Sequence, residues 1–379
     1  MAESRDVVLK LVRMAMGWES DLSLPMEIDW QEVLDLAFEQ GVSSIIMDGY
    51  DIFLRNNPWE VSFLIKPENK PLRGKALGRI NTTECNYLNH LNALKTLTGV
   101  LNDKDIPFLI LKGFSCANYY PIPNHRDCCD IDIYPAELFV ESNRALTNAG
   151  FFVNPDYYRH HVLKINGVMI ENHRVLCDLR GPHHQTRALE RQLKKYADDS
   201  IRNGISVKIQ NQSFPSVRFP IPDFNALFLP WHVSAHFAFE RVTLRHLLDW
   251  ALFLVHDGKK IDLAMFKNAK RNFTYGYSKI VDILTNLSIR YLNMPTTDIP
   301  QTIVDDAVCF DDGLADRVFN YFFVGKPRER DDNVWKFRLN NVKRVWNERW
   351  KYREIYNLSV VGFLYYKAKG VILKTGDEV

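Results

Sequence analysis

The stretch PFLILKGFSCANYYPIPNHRDCCDIDIYP, residues 107–135, decides the fold of the central part of the chain. Phe108 to Leu111 form a short apolar run after a proline, which is typical of a buried strand. Gly113 ends that run, and a short helix is expected from Ser115 to Tyr120. From Asp130 to Ile133, charged and apolar residues alternate, which indicates a second strand. The stretch therefore predicts two strands connected through a glycine turn.

The second strand carries two carboxylates on one face. Asp130 and Asp132 are two residues apart, and side chains at i and i+2 of a strand project to the same side. Such a pair repels itself unless a cation lies between the two groups, and hard oxygen ligands suit Mg²⁺ or Mn²⁺. A glycine turn before a helix lets backbone N–H groups approach a phosphate, a role that we expect for Gly113 and Ser115. The pattern predicts a divalent metal site beside a phosphate-binding turn.

A third acidic residue follows in a predicted hairpin. Asn166-Gly167 is a strong hairpin signal because both turn residues need positive φ. Glu171 lies in the strand after this turn, behind apolar neighbours where an unpaired carboxylate would be costly. We expect it to complete a two-metal site with the aspartates. The alternative is a hairpin carboxylate in a salt bridge with a neighbour. His173 shares the face of Glu171.

The rest of the chain predicts an α+β protein in three parts. With 379 residues, two or three domains are expected. Residues 1–80 have the pattern of a helical N-terminal segment, and residues 81–222 contain the strands of a small mixed-sheet core. Residues 223–379 are apolar on one side at helical spacing and predict a helical C-terminal domain with a basic amphipathic helix.

Composition excludes several classes of protein. The 48 basic and 46 acidic residues leave a net charge of +2, so no global field attracts the chain to polyanions. The longest apolar stretch, Leu358 to Tyr366, is too short to span a bilayer, and we expect no membrane insertion. Charged residues interrupt the N-terminus before it reaches signal-peptide length. The six cysteines form no CxxC pair, which indicates reduced thiols and a cytoplasmic protein.

These motifs resemble those of the polymerase-β-like nucleotidyltransferase superfamily, and within it a family known only as uncharacterised nucleotidyltransferases. The likeness covers roughly residues 8 to 295. The segments that carry it are Lys112-Gly113, Tyr120-Pro121, Arg126, Asp130-Ile131-Asp132, Ile170-Glu171, His173-Arg174 and the block His232…His236…Arg245-His246…Asp249. One departure is Phe114, because the superfamily usually has Gly or Ser directly after the glycine.

The resemblance implies an enzyme that transfers an NMP group from an NTP to an acceptor and releases pyrophosphate. The acceptor, a protein, a nucleic acid or a small molecule, is not indicated. Asp130, Asp132 and Glu171 would be the catalytic metal ligands for Mg²⁺ or Mn²⁺. The residues expected to contact the nucleotide are Lys112, Gly113, Ser115, Arg126, His173 and Arg245.

Several of these residues have simpler interpretations. Lys112 ends a buried strand, so it either neutralises a phosphate or extends to solvent. Arg126 either binds the triphosphate or pairs with Asp127 or Asp130. Arg245 and Asp249 are four residues apart and could pair on one helix.

Two further patterns favour a structural interpretation. His232 and His236 have the spacing of a zinc pair, but the glutamate of the protease motif is missing, so core or groove histidines are favoured. The segment Lys326 to Arg353 holds ten basic and four acidic residues. Its stripe of Trp335, Leu339, Val342, Trp346 and Trp350 predicts an amphipathic helix docked on the core.

Two alternatives from other classes remain open. One is a non-catalytic nucleotide-binding or interaction module, which Phe114 supports. The other is a polyanion- or RNA-binding protein that uses the basic C-terminal helix, with bases stacked on exposed aromatic rings.

Overall fold

A computed structural model describes residues 2–155, 159–177, 182–204, 207–324 and 334–373. Helices account for most of this part, and a five-stranded mixed sheet lies among them. This confirms the predicted α+β class with helical flanks. None of the helices within the described ranges is both long enough and apolar enough to cross a membrane.

The N-terminal part is helical, as predicted. Asp29 caps the second helix by accepting a hydrogen bond from the Glu32 N–H. The fourth helix begins at Lys70 and continues across residue 80, where the sequence predicted the boundary between the N-terminal segment and the core. The helices are α1 (Ala2–Ala15), α2 (Trp30–Glu39), α3 (Ser43–Asn56) and α4 (Lys70–Asn102).

The central sheet has the strand order β3-β4-β2-β1-β7. Its strands are β1 (Phe108–Ile110), β2 (Asp130–Tyr134), β3 (His160–Ile165), β4 (Val168–His173) and β7 (Val217–Arg218). Strands β1 and β2 are antiparallel, as are β3 and β4, whereas β2 and β4 are parallel. The predicted hairpin is confirmed, and both Asn166 and Gly167 have positive φ. A second, two-stranded sheet joins β5 (Val207–Ile209) and β6 (Gln212–Phe214).

Three helices accompany the sheet. They are α5 (Phe114–Ala117), α6 (Phe139–Asn148) and α7 (His183–Asn203). The helix predicted from Ser115 to Tyr120 is therefore shorter and begins one residue earlier.

The C-terminal part is a helical assembly. Residues 224–256 are apolar on one side at helical spacing throughout, but they form two helices, because Thr243 begins a new helix with a capping box that includes His246. The helices are α8 (Pro222–Phe239), α9 (Leu244–Asp257), α10 (Leu263–Asn272), α11 (Tyr277–Leu292), α12 (Gln301–Val308), α13 (Asp312–Val324), α14 (Val334–Asn347), α15 (Arg349–Glu354) and α16 (Val360–Leu373).

The two faces of the sheet contact different hydrophobic clusters. Ile131 and Ile133 belong to a cluster with α4 and α6. Leu109 and Leu111 belong to a larger cluster that also contains α1, α3, α8, α9 and α11, so the N-terminal and C-terminal helices share one core. Because side chains alternate along β2, Asp130 and Asp132 lie on the opposite face from the isoleucines, toward the C-terminal helices.

The predicted docking of the basic helix is wrong at two positions. Val342 is 53% exposed and Trp346 is 60% exposed, whereas Val345 is buried. Trp350 does dock, against Phe237 and Tyr321. The basic residues Lys326, Arg328 and Arg330 lie outside the described residues.

Candidate functional site

The register of the sheet brings the three predicted carboxylates together. Asp132 on β2 is directly paired with Glu171 on the parallel strand β4, and Asp130 precedes it by two residues on the same face. One carboxylate oxygen from each of the three lies within 4.8 Å of the other two. Asp132 is only 3% exposed. Three carboxylates so close together strongly favour a cation.

Lys112 lies against this acidic cluster. Its Nζ is 3.0 Å from Asp132 Oδ2 and 3.7 Å from Asp130 Oδ1. Burial by itself lowers the pKa of Lys112, but the charges of Asp132 and Asp130 more than compensate, and the pKa is raised. The ammonium therefore stays charged and neutralises part of the aspartate pair. This ion pair was not among the sequence interpretations of Lys112, and the contact with a phosphate stays a prediction.

The two aspartates have different proton affinities. Burial and the neighbouring charge of Asp132 raise the pKa of Asp130. Burial acts in the same direction on Asp132, but Lys112 and His173 outweigh it and the pKa of Asp132 is lowered. Asp132 is therefore the permanent anion of the pair, and Asp130 is the better proton acceptor.

Two histidines complete the polar face of the β3–β4 hairpin. His173 Nε2 is 3.0 Å from Asp132 Oδ1 and 3.3 Å from Glu171 Oε2. Burial lowers the pKa of His173, but its hydrogen bonds to Asp132 and Glu171 raise it overall. His160 pairs with His173 across the hairpin, and its Nε2 lies 3.6 Å from Glu171. Burial and the charge of His173 lower the pKa of His160 to about 4.

Sequence reasoning missed His160. The sequence before the Asn-Gly turn predicts a strand from His161 to Ile165, which begins one residue too late, and His161 projects to the other face. The signal was present, because an Asn-Gly turn fixes the register and pairs position 160 with position 173.

The glycine turn has the geometry that glycine permits. Gly113 has a φ of +65°, and a Cβ there would lie 3.3 Å from Cys128 Sγ. Ser115 is buried, and its Oγ has no hydrogen-bond partner within the described part of the chain.

Arg126 forms a buried ion pair with Asp249 on α9. Its Nε and Nη2 each donate a 2.7 Å hydrogen bond, one to each carboxylate oxygen, and the Tyr120 hydroxyl donates to the same carboxylate at 2.8 Å. The partner is thus neither Asp127 nor Asp130. Asp249 does not pair with Arg245 as the helical spacing suggested, and Arg245 Nη1 instead donates to the Asp127 carbonyl at 2.8 Å.

Two adjoining cavities connect these groups. A cavity of about 640 Å³ is lined by Gly113, Arg245 and the edge of the Arg126–Asp249 pair. A smaller one of about 300 Å³ contains Asp132, Glu171 and His173. Five residues line both cavities: Lys112, Asp130, His232, His236 and Glu240. The predicted site residues, with the exception of buried Ser115, therefore line one continuous depression between the sheet and helices α8 and α9.

Two histidines in this depression are held neutral. Burial lowers the pKa of His232 and of His246 well below the usual value. Spacing along the sequence does not indicate that His246 lies beside His232 and His236, because it belongs to the next helix.

Comparison with known proteins gives one match. No curated protein and no solved structure matches the chain. A family described as uncharacterised nucleotidyltransferase matches residues 26–288, which is more than half of the chain and includes every residue of the depression. The protein therefore belongs to this family of nucleotidyltransferases.

Proposed function

We propose that the protein transfers an NMP group from an NTP to an acceptor, with a divalent cation held by Asp130, Asp132 and Glu171. The observation that carries this proposal is the convergence of three carboxylates from two parallel strands in a largely buried position. Burying carboxylates at this spacing is costly unless a cation accompanies them. The membership of a nucleotidyltransferase family supports the same reaction class.

The residues present fit Mg²⁺ or Mn²⁺. All three groups offer hard oxygen atoms, which both ions prefer. Asp132 is buried, and the Lys112 ammonium lies 3.0 Å from its Oδ2. A bound divalent ion would neutralise phosphate charge and make the acceptor a better nucleophile.

The side chains then have distinct roles in the proposed reaction. The acceptor atom forms a bond to the α-phosphorus of the NTP, and the bond from that phosphorus to the β-phosphate oxygen breaks, which releases pyrophosphate. A carboxylate of the site receives the proton of the acceptor. His173 holds Asp132 in place through its 3.0 Å contact. Lys112 and Arg245 line the cavity and supply positive charge for the triphosphate.

The position of Arg126 supports an indirect role. Its guanidinium makes two hydrogen bonds to Asp249 and is 5% exposed, so it has little capacity left for a phosphate. We propose that Arg126 orients the segment that leads into β2, and that Arg245 provides the guanidinium nearer to the nucleotide.

The test combines binding with transfer. A non-hydrolysable NTP is titrated calorimetrically with and without Mg²⁺, and each labelled NTP is then incubated with Mg²⁺ or Mn²⁺ and a cell extract to find the labelled acceptor. We expect Mg²⁺-dependent binding, and loss of transfer in the D130N/D132N variant. The matched control is D305N, an exposed aspartate on α12, which should behave as the wild type. Wild-type turnover in D130N/D132N would overturn the metal assignment.

The exposed aromatic residue on α14 favours a second candidate function. Trp346 is 60% exposed, and the Arg349 guanidinium lies 5.7 Å from its ring centre. An exposed ring beside basic groups is a stacking surface for single-stranded nucleic acid. If RNA binds here, affinity for a labelled oligonucleotide falls steeply with salt and is reduced in W346A. Equal binding by both proteins would exclude this surface.

The cysteines support a cytoplasmic location. All six are free thiols, including two that are buried. Free thiols persist in reducing compartments. We therefore propose that the enzyme works in the cytoplasm.

A further inference from the structure

Three histidines meet beside the acidic cluster without belonging to it. His232 and His236 lie one turn apart on α8, and His246 lies in the first turn of α9. The ring centres of His232 and His236 are 4.4 Å apart, and that of His246 is 5.3 Å from His236 and 6.2 Å from His232. One ring nitrogen from each lies within 4.8 Å of the other two. We call these residues the histidine cluster.

The hydrogen bonds leave a ring nitrogen available on each residue. His236 Nδ1 is 2.8 Å from Glu240 Oε2, and because a carboxylate only accepts, Nδ1 carries the proton and Nε2 keeps its lone pair. His232 makes no hydrogen bond within the described ranges. His246 Nδ1 accepts a 3.2 Å hydrogen bond from the Thr243 N–H and lies 3.0 Å from Thr243 Oγ1. A metal ion at Nε2 would therefore displace the ring proton or move it to Nδ1, where Thr243 Oγ1 can accept it.

The pairing of His236 with Glu240 is the arrangement seen behind metal-binding histidines. A carboxylate that accepts from the second ring nitrogen fixes the orientation of the ring and makes the free nitrogen a stronger ligand. Glu240 also contributes a negative charge beside the histidine cluster. Of the cations that line the same cavity, Lys112 pairs with Asp132, Arg126 with Asp249 and Arg241 with Glu39, whereas Arg245 donates to the Asp127 carbonyl.

We infer that the histidine cluster binds a transition-metal ion of the Zn²⁺ class, at a site separate from the carboxylate site proposed for Mg²⁺. Three imidazole nitrogens suit Zn²⁺, Co²⁺ or Ni²⁺, whereas Mg²⁺ requires oxygen ligands. Three protein ligands leave one position of a tetrahedral ion open. That position faces the cavity shared with Lys112 and Asp130, so water or an oxygen of an anionic ligand would fill it. This inference goes beyond the proposed transfer reaction and does not depend on it.

The test uses Co²⁺ as a spectroscopic probe of the full-length protein, freed of metal with a chelator. Co²⁺ is titrated in the presence of excess Mg²⁺, which fills the carboxylate site. We expect one Co²⁺ per chain, visible absorption bands typical of nitrogen ligation, and loss of these bands when Zn²⁺ is added.

Variants locate the ion and distinguish it from the neighbouring histidines. H246Q and H232Q each remove one ligand and should weaken Co²⁺ binding at least ~10-fold, and E240Q should weaken it ~10-fold or more because it removes the carboxylate behind His236. The matched control is H160Q, because His160, Glu171 and His173 form the other candidate histidine group. Circular dichroism in the absence of metal checks that each variant is folded.

Two results would overturn the inference. One is the absence of Co²⁺ bands in the wild-type protein at millimolar Co²⁺. The other is a set of bands that H160Q abolishes and that H246Q and E240Q leave unchanged, which would place the ion at the hairpin instead.

Discussion

The buried pair of Arg126 and Asp249 gives the sharpest prediction about stability. Replacing Asp249 with Asn keeps the size of the side chain but removes the negative charge opposite Arg126. Arg126 is 5% exposed and makes two 2.7 Å bonds to this carboxylate, so water cannot replace the lost partner. Breaking a buried pair by neutralising one member typically costs about 3 to 5 kcal/mol. We expect D249N to lose this amount of unfolding free energy.

The assay is urea denaturation followed by circular dichroism, with a matched ion pair as the control. Arg241, just before α9, also pairs with Glu39 of α2, with 3.1 Å between Nη2 and Oε2. In contrast to Asp249, the side chain of Glu39 is 53% exposed. Exposed pairs contribute about 0 to 1 kcal/mol, so E39Q should change stability by no more than that.

Removing both charges distinguishes the destabilisation caused by an unpaired charge from that caused by a general packing defect. The R126M/D249L double variant has no buried charge at this position and should be less destabilised than D249N alone. The reasoning is refuted if D249N lies within about 1 kcal/mol of the wild type, because Arg126 would then be solvated or paired elsewhere.

Three further predictions concern single residues. K112A removes the ammonium that competes with Mg²⁺ for Asp132. Mg²⁺ should therefore raise the thermal stability of K112A more than that of the wild type. Equal shifts of the two proteins in a melting assay would contradict this. E171Q should lower the rate of transfer at least ~10-fold while nucleotide affinity, measured calorimetrically, changes less. Burial lowers the pKa of Lys351 to about 8, so between pH 8 and about 10.5 the unfolded chain binds a proton that the folded protein does not. The free energy of unfolding of the wild type, relative to that of K351M, should therefore rise between pH 8 and pH 10. Denaturation of both proteins at these two pH values tests this.

Local sequence patterns predicted the parts of the site that depend on neighbouring residues. The alternation at Asp130 to Ile133 gave the shared face of the two aspartates, and Asn166-Gly167 gave the hairpin that carries Glu171. Both features arise from backbone geometry over a few residues. The direct pairing of Asp132 with Glu171 required the parallel alignment of β2 and β4, which no local pattern specifies.

Contacts between distant residues could not be read from spacing. Asp249 is 123 positions from Arg126, and the helical spacing pointed to Arg245 as its partner instead. His246 joins His232 and His236 only because the helical pattern from Phe224 to His256 is interrupted and α9 packs against α8. The exposed Trp346 shows the same limit, since helical periodicity identifies an apolar stripe but not the surface that it faces.

Phe114, which departs from the superfamily pattern, lies in the hydrophobic core and not in the cavity. Its side chain is 5% exposed and packs edge-on against Tyr87 of α4, with ring centres 5.1 Å apart. It belongs to the hydrophobic cluster on the face of the sheet opposite the carboxylates, whereas Gly113 lines the cavity. The bulky residue therefore occupies core volume, and the backbone of the turn remains open to a ligand. Phe114 therefore does not obstruct the turn, and the non-catalytic module stays an alternative that the transfer assay decides.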